Sequence, residues 1–268
     1  MESVTSTSGE QSKQDALLVS EIFKSVQGEG VSLGAPTVFL RLSVCNLHCW
    51  YCDTKYTWMY SAKTLDQVRS DLKRLEISEE PRDLKIYTFS EEAKSLHVRD
   101  ALEKILAYGM DHLVVTGGEP LLQQRPLASL ISGLKAAHSN FVEIETNGSV
   151  RANEALLRLV DQWNVSPKLE SSGNSEFSRE KKECMEAFAM LGNSYFKFVV
   201  QTMDDLEEVD SLVRRYSIKP SKVILMPEGT EASILKERTI WLSEICESRG
   251  YRLTPRLHIL LWGNKRGT

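Results

Sequence analysis

Three cysteines lie close together in the segment SVCNLHCWYCDT, where Cys45, Cys49 and Cys52 follow a C-x3-C-x2-C spacing. A structural zinc site needs four ligands, so zinc would require a remote fourth ligand. The candidates for that ligand are His48, Cys184, Cys246 and His258. An iron–sulfur cluster held by only three thiolates would instead keep one iron with an open coordination position. Because an open position is a feature of catalytic metals, the pattern indicates either remote-ligand zinc or a catalytic cluster.

Further polar motifs each follow an apolar run that is typical of a buried strand. They are TGGEP after HLVV, ETNG after FVEI, SPK after WNV, QTMD after FKFVV and MPEG after KVIL. In parallel α/β folds, active sites are built at the carboxyl ends of strands. The motifs therefore predict one composite pocket at that edge of a sheet.

The elements that must position these motifs alternate between short apolar runs and longer helical patterns. The runs predict strands at 18–23, 37–44, 112–115, 141–144, 195–200, 222–225 and 258–261. Helices are predicted near 64–76, 97–108, 121–138, 153–162, 204–216 and 231–249. This alternation predicts βαβ units and a largely parallel sheet, either doubly wound or a full or partial barrel.

Composition narrows the classes of function. The chain has 268 residues, of which 41% are hydrophobic and 26% charged, with a formal net charge of −4. We expect neither nucleic-acid nor membrane binding, because the overall charge is weakly negative and no apolar run has the roughly 20 residues of a membrane span. Without a signal-peptide pattern the chain is expected to be cytoplasmic, where cysteines are metal ligands or buried thiols rather than disulfides.

The predicted organisation is a disordered polar tail over residues 1–16 followed by a single domain over 17–268. Two segments interrupt the strand–helix alternation. The charged stretch 77–96 is predicted to be a surface insertion, and the Gly- and Ser-containing stretch 170–182 a polar, mobile loop. Cys184 and Cys246 match no motif and are expected to be buried thiols.

The cysteine motif, with Tyr51 before its last cysteine, and GGEP at 117–120 resemble the motifs of radical S-adenosylmethionine enzymes. The resemblance implies a full or partial (β/α) barrel, and we expect a partial barrel of the radical SAM type with insertions. It also implies a [4Fe–4S] cluster on the three cysteines, with the amino and carboxylate groups of S-adenosylmethionine on the unique iron. In GGEP, Gly117 and Gly118 would let the backbone approach the cofactor, while Glu119 or a nearby carbonyl would accept from its ammonium group.

A longer series of motifs occurs in a single order. They are FKSVQGEG, FLRLSVCNLHCWYCDT, TGGEP, ETNG, SPK, MPEG and RLHILLWGNKRG. Together they resemble the 7-carboxy-7-deazaguanine synthase family over residues 21–267. The resemblance implies a carbon–nitrogen lyase that converts 6-carboxy-5,6,7,8-tetrahydropterin to 7-carboxy-7-deazaguanine. The reaction is a ring contraction that expels ammonia, requires Mg2+ and belongs to queuosine and 7-deazapurine biosynthesis.

The resemblance also implies a set of substrate contacts, and it assigns no catalytic residue beyond the cofactors. Arg41 has two interpretations, an exposed strand residue in an ion pair or a bidentate clamp on the substrate carboxylate, and the resemblance favours the clamp. His258 lies in a predicted apolar strand, where a buried core role and a pterin contact are equally plausible. The remaining implied substrate contacts are Val26, Gln27, Gly28, Glu29 and Thr116.

The same resemblance assigns the Mg2+ and S-adenosylmethionine sites. Thr54 is the predicted Mg2+ ligand and Asp53 lies near its waters, although a DT dipeptide is also typical of a helix cap or turn. Residues predicted to contact S-adenosylmethionine are Tyr51, Cys52, Asp53, Gly118, Ser166, Pro167, Lys168, Gln201, Thr202, Met203 and Asp204. Thr146–Gly148 is expected to shape the same rim.

The family resemblance also implies which partners the protein has. The resemblance implies a small pterin substrate, a homodimer and a low-potential electron donor such as flavodoxin or ferredoxin. Ten residues follow His258, so the family's use of a terminal carboxylate near that position cannot be transferred. Two alternatives remain, an activase that places a glycyl radical on a partner protein and a non-catalytic cluster or zinc module.

Overall fold

The computed structural model describes residues 15–81, 83–138 and 140–268. The predicted disordered tail therefore lies almost wholly outside the described residues. At its end the prediction is wrong by one residue, because Ala16 already begins the first strand and the adjacent Leu17 is buried.

The described residues contain nine strands that form one sheet. In chain order they are β1 (Ala16–Val26), β2 (Pro36–Leu42), β3 (Lys94–His97), β4 (His112–Gly117), β5 (Phe141–Thr146), β6 (Gln162–Val165), β7 (Ser194–Val200), β8 (Val223–Pro227) and β9 (Arg252–Leu253). Their spatial order is β3-β1-β2-β4-β5-β6-β7-β8-β9. Every pair from β2 to β9 is parallel, whereas β1 pairs antiparallel with both β2 and β3. Because β3 and β9 lie at opposite ends of this order, the sheet is an open, partial barrel, which confirms the predicted fold class.

Helices lie between and beside these strands, and the last of them in the chain contributes His258 to the cavity described below. They are α1 (Ala62–Arg74), α2 (Phe89–Glu92), α3 (Val98–Leu106), α4 (Gln124–Ala137), α5 (Glu154–Leu159), α6 (Glu176–Arg179), α7 (Lys182–Met190), α8 (Met203–Arg215), α9 (Ala232–Arg249) and α10 (Leu257–Trp262). Helix α4 illustrates why they pack beside the strands, since Leu127, Leu130, Ile131 and Leu134 recur at helical spacing and are fully buried. Such a stripe forms one apolar face against the sheet. No helix of the described residues is long and apolar enough to cross a membrane.

The predicted strand at 258–261 is wrong, because this segment forms α10. The run HILL is too short for its periodicity to distinguish a strand from a helix. Strands β3 and β9 were not predicted, since they have only four and two residues. Strand β6 was recognised only as the short run WNV before SPK, because it has four residues and two of them are the polar Gln162 and Asn164.

Both segments that interrupt the alternation are integral to the structure. Segment 77–96 contributes α2 and most of the edge strand β3, so it is only partly a surface insertion. Segment 170–182 packs inward, with Ser172 and Asn174 at 0% and 2% exposure. It is therefore a packed element beside the cysteine loop and not an open loop, and its contacts are described below.

Candidate active site

A cavity of about 440 Å3 opens at the carboxyl edge of the parallel strands. The thiols of Cys45, Cys49 and Cys52 line it together with polar residues from strands β2, β4, β5 and β7. Of the residues predicted as contacts, those in the lining are Val26, Gln27, Gly28, Glu29, Arg41, Tyr51, Asp53, Thr54, Thr116, Gly118, Ser166, Lys168 and His258. The structure thus brings most of the predicted site to one cavity.

The cysteine loop leaves β2 through a tight backbone contact with GGEP. Val44 adopts a left-handed conformation with φ of 75° directly before Cys45. A Cβ on Gly118 would lie 2.1 Å from the carbonyl oxygen of Val44, and one on Gly117 would lie 2.1 Å from that of Leu42. The glycines are therefore required by the approach of β4 to the cysteine loop. The sequence analysis explained the two glycines differently, by close approach of the backbone to a cofactor.

Glu119 of GGEP is fully buried and connects two loops of the rim. Its carboxylate accepts hydrogen bonds from the backbone N–H of Leu121, the hydroxyl of Thr146 and the backbone N–H of Asn147, at 2.8 to 2.9 Å. Burial raises the pKa of Glu119 above its ordinary value despite these bonds. Since its oxygens are engaged by the protein, Glu119 holds ETNG against GGEP.

Each cysteine sulfur accepts a hydrogen bond from the surrounding protein. The donors are Leu47 N to Cys45 at 3.5 Å, Asn174 Nδ2 to Cys49 at 3.1 Å and Trp58 Nε1 to Cys52 at 3.3 Å. Burial raises the pKa of Cys49 to about 11 and that of Cys45 as well. A bound metal would hold these sulfurs as thiolates, and the N–H groups are placed to stabilise that charge.

The residues fit a cluster better than a mononuclear zinc site. Within the described part of the chain, no three His, Cys, Asp or Glu side chains converge as ligands of one ion. Two of the four proposed remote ligands are engaged elsewhere: His48 contacts Asp71 at 3.2 Å, and the Cys246 thiol donates to the carbonyl of Arg252. Three thiols that line one cavity without converging suit a cluster, in which each binds a different iron.

A compact group of opposite charges lines the same cavity as the cysteines. Glu29 forms an ion pair with Lys197 and lies 3.3 Å from the Nε atom of Arg256, which in turn pairs with Asp53. Lys197 and Arg256 are buried, at 7% and 6% exposure. Burial alone would raise the pKa of Glu29, but the charges of Lys197, Arg256 and His258 hold it well below its ordinary value. Both carboxylates of this group are therefore ionised at neutral pH.

His258 reaches the cavity from α10. A Cβ on Gly28 would lie 2.4 Å from His258 Nδ1, so the glycine makes room for the ring. The backbone N–H of Leu257 donates to the carbonyl of Gly28 at 2.9 Å and ties the two segments together. His258 Nε2 lies 3.9 Å from Glu29, at the edge of the charged group.

Arg41 extends from β2 with an incompletely satisfied guanidinium group. Its Nε atom is buried and makes no hydrogen bond to any described residue. Glu21 lies 4.0 Å from Nε, and the guanidinium carbon lies 5.6 Å from the ring centroid of Phe23. A planar cation with unused donors in a cavity is suited to bind a carboxylate.

A hydrogen-bond chain orients the QGEG loop. The Gln27 amide donates to Glu143 at 2.6 Å and to Glu145 at 3.2 Å, and its oxygen accepts from Glu29 N. The Thr116 hydroxyl donates to Glu145 at 2.8 Å. Strand β5 thus fixes the polar floor of the cavity, which includes Glu145, the first residue of the predicted ETNG motif, to which sequence reasoning assigned no individual role.

Only some of the predicted cofactor contacts line the cavity. Lys168 Nζ donates to Ser166 Oγ at 3.0 Å, and both line the cavity. The residues that line it within the described chain do not include Pro167 or 201–204. The backbone of that second stretch caps α8, where Gln201 N and Thr202 N donate to the carboxylate of Asp205.

Other lining residues were not predicted. Lys197 and Arg256 are the main ones, together with the chain segment 264–268, which folds back over the cavity. A lysine inside the apolar run SYFKFVV is a signal that sequence reasoning could have used, because an inward-facing charge in a strand needs a partner. Arg256 is the first residue of the RLHILLWGNKRG motif that contributed to the family resemblance, but sequence reasoning assigned it no role in the site.

The partial barrel and the three-cysteine loop define the class of the protein, the radical SAM enzymes, and a family profile agrees with this class. Residues 41–225 match the Radical SAM superfamily. That superfamily's cofactors are a [4Fe–4S] cluster and S-adenosylmethionine, which suits the three non-converging thiols. The structure is also similar to the crystal structure of QueE from Escherichia coli, with a TM-score of 0.64 over 95% of this chain and 100% of that chain. At 24% identity this likeness supports the fold alone.

Curated relatives give a narrower assignment. The 7-carboxy-7-deazaguanine synthase of Pyrobaculum aerophilum is 39% identical over 253 residues, which are 93% of this chain and 96% of the relative. Proteins of the same name from Rhodopirellula baltica and Halobacterium salinarum are 33% and 32% identical, with 90% and 91% of the relative covered. The chain belongs to the 7-carboxy-7-deazaguanine synthase family and acts in 7-deazapurine biosynthesis.

Proposed function

We propose that this chain converts 6-carboxy-5,6,7,8-tetrahydropterin to 7-carboxy-7-deazaguanine with release of ammonia. The observation that carries the proposal is a single cavity that contains three cysteine thiols, the unsatisfied Arg41 guanidinium and the adjacent Asp53 and Thr54. A small bicyclic carboxylate needs a cationic clamp and hydrogen-bond acceptors, and both face the same space.

Arg41 binds the substrate carboxylate in this proposal. The planar fork of its guanidinium allows two parallel hydrogen bonds to one carboxylate, while the buried Nε atom faces Glu21 at 4.0 Å. Glu29 accepts from the pterin N–H groups, because Lys197 and Arg256 hold it ionised and oriented. Val26, Gln27 and Gly28 complete this wall. Thr116 lies on the floor, and His258 contacts the pterin from α10.

Mg2+ binds at Thr54 in this proposal, with Asp53 near its waters. Thr54 Oγ1 is 3.4 Å from Cys52 Sγ, so the hydroxyl lies beside the cluster ligand. Arg256 pairs with Asp53, and its charge lowers the pKa of that carboxyl although burial alone would raise it. An ionised carboxylate next to a hydroxyl is a suitable oxygen environment for a hard cation that keeps several waters.

S-adenosylmethionine contacts residues of the cysteine loop and the strand-end loops in this proposal. When bound, the cluster and S-adenosylmethionine supply the one-electron chemistry that removes a hydrogen atom from the substrate. The protein orients the reacting carbon and excludes water. Lys168, held by Ser166, provides positive charge for the carboxylate of the cofactor. The other proposed contacts are Tyr51, Cys52, Asp53, Gly118, Pro167, Gln201, Thr202, Met203 and Asp204.

Partners and location complete the proposal. The reaction needs a low-potential electron donor such as flavodoxin or ferredoxin, and the family resemblance supports a homodimer. We place the protein in the cytoplasm, because a cluster on Cys45, Cys49 and Cys52 and two cysteines outside any disulfide, Cys184 and Cys246, suit a reducing compartment. Sedimentation of the reconstituted protein tests the dimer.

An anaerobic assay tests the activity. The reconstituted protein is incubated with a reductant, S-adenosylmethionine, Mg2+ and the carboxytetrahydropterin. We expect the deazaguanine product and one equivalent of ammonia per turnover. If neither forms while the cluster is intact and S-adenosylmethionine binds, the substrate assignment is wrong. A reaction with a peptide substrate instead would favour the glycyl-radical activase.

A further inference from the structure

Segment 170–182 makes direct contacts with the cysteine loop. The carbonyl of Ser172 accepts from the backbone N–H of Trp50 at 3.3 Å, and that of Ser171 accepts from the Trp50 indole at 2.7 Å. At its other end, the buried Arg179 donates to the carbonyl of Lys168 at 3.1 Å. The segment is thus anchored to both the cluster loop and the SPK loop.

Asn174 lies between this segment and the cysteine loop, and its hydrogen bonds fix the orientation of its side-chain amide. Its Oδ1 accepts from the backbone N–H of His48 at 3.0 Å. Because that N–H can only donate, the amide oxygen must face it and the NH2 group must face the other way. The NH2 group donates to Cys49 Sγ at 3.1 Å and to Ser172 Oγ at 3.2 Å. With 2% of its surface exposed, Asn174 cannot exchange this bond for water without a rearrangement.

The backbone before Asn174 is adapted to this position. Gly173 has φ of 90°, a left-handed conformation that favours glycine. A Cβ at Gly173 would also lie 3.1 Å from Asp71 Cβ on α1, so a larger residue would press against that helix. The chain therefore turns sharply where the amide must reach the sulfur.

We propose that Asn174 is a positioning residue that raises the reduction potential of the cluster through its N–H···S bond to Cys49. Reduction adds negative charge that the sulfurs share, so a donor to a ligand sulfur stabilises the reduced state more than the oxidised state. At 3.1 Å, this contact is shorter than those that Leu47 and Trp58 make with the other two cysteines. The proposal requires only that the three cysteines bind a cluster and is independent of the substrate.

The test measures the midpoint potential of the reconstituted full chain by anaerobic titration, followed by the electron paramagnetic resonance signal of the reduced cluster. In Asn174→Ala the reduced-to-oxidised ratio at a fixed potential should fall about tenfold, which is ~59 mV for a one-electron couple. Asn174→Asp keeps the acceptor for His48 N–H but turns an oxygen toward the sulfur. Its potential should fall further than that of Asn174→Ala.

Which of the two variants has the lower potential shows whether Asn174 sets the potential of the cluster or only supports the loop. A residue that only supported the loop would be replaced better by Asp, which keeps the His48 bond, than by Ala. The proposal would be overturned if the midpoint potential fell further in Asn174→Ala than in Asn174→Asp, or if it did not change in either variant. Failure of both variants to assemble a cluster would also overturn it, since the thiols should suffice for assembly. Asn140→Ala is the control, because Asn140 is also buried, at 5% exposure, but it lies directly before β5 and donates to the carbonyl of Met110. The potential of this variant should not change.

Discussion

The charged group around Glu29 allows a quantitative prediction for Glu29→Gln. The Arg256 Nε and Glu29 Oε1 atoms are 3.3 Å apart, and at an effective dielectric constant of about 20 this attraction is worth about 5 kcal/mol before desolvation. The substitution also leaves Lys197, which is 7% exposed, without its direct partner. Removing one member of a buried pair costs about 3–5 kcal/mol, because the other charge stays buried and uncompensated. We therefore expect Glu29→Gln to lose at least about 3 kcal/mol of unfolding free energy at pH 7.

Urea unfolding of the apoprotein, followed by circular dichroism under anaerobic conditions, measures this loss. Glu154→Gln is the matched control, because the Glu154–Arg158 pair is exposed and such pairs contribute only about 0.3–0.5 kcal/mol. The double variant Glu29→Gln with Lys197→Met should recover part of the stability, since it removes the uncompensated cation. A loss below 1 kcal/mol in Glu29→Gln, similar to that of the control, would refute the reasoning.

The pH dependence adds a second test of the same group. The folded-state pKa of Glu29 lies below its ordinary value of 4.5, so the unfolded chain binds the proton more readily. The stabilisation is therefore fully present above about pH 4.5 and is lost as the pH falls toward the folded-state pKa. The difference in stability between wild type and Glu29→Gln should be constant from pH 6 to 8 and should shrink below pH 4.5.

Further predictions concern the substrate clamp, the metal and the cysteine loop. Arg41→Lys should raise KM at least tenfold, because it removes a bidentate hydrogen bond to the charged carboxylate that is worth about 1.5–3 kcal/mol. The iron content should stay unchanged, and loss of iron would show that Arg41 is structural. Thr54→Ala should weaken the response of activity to Mg2+, and an unchanged Mg2+ titration would contradict the ligand assignment. Gly118→Ala should abolish cluster incorporation, measured by iron and sulfide analysis, because its Cβ would lie 2.1 Å from Val44 O. Gly192→Ala, where no atom lies within 4 Å of the added Cβ, should incorporate normally.

Local patterns predicted the parallel strands well. The runs at 112–115, 141–144 and 195–200 all lie in observed strands, and each structural strand begins within one residue of its prediction. These strands are buried on both faces, so their continuous apolar runs are strong signals. The prediction failed for 258–261, where a short apolar run did not reveal its helical period.

The sequence by itself determined the chemistry of the cluster site. The spacing of Cys45, Cys49 and Cys52 and the order of the strand-end motifs are properties of the linear chain, and the rule that strand ends converge was enough to predict one cavity. Thirteen of the predicted contacts outside the cysteine triad line that cavity. The Gln201–Asp204 stretch was predicted from its strand-end position and from the resemblance, but it is not among the described residues that line the cavity, and the backbone N–H groups of Gln201 and Thr202 cap α8.

Only the tertiary structure decided which charged and polar groups meet. Glu29 pairs with Lys197 and Arg256, which are 168 and 227 residues away, and Asn174 reaches Cys49 across 125 residues. Hydrophobic periodicity reports which face of an element is buried, but it carries no information about which distant polar group lies opposite. Those pairings depend on the register and curvature of the open barrel, so burial of the partners and not their spacing in the chain decides the charge state of the site.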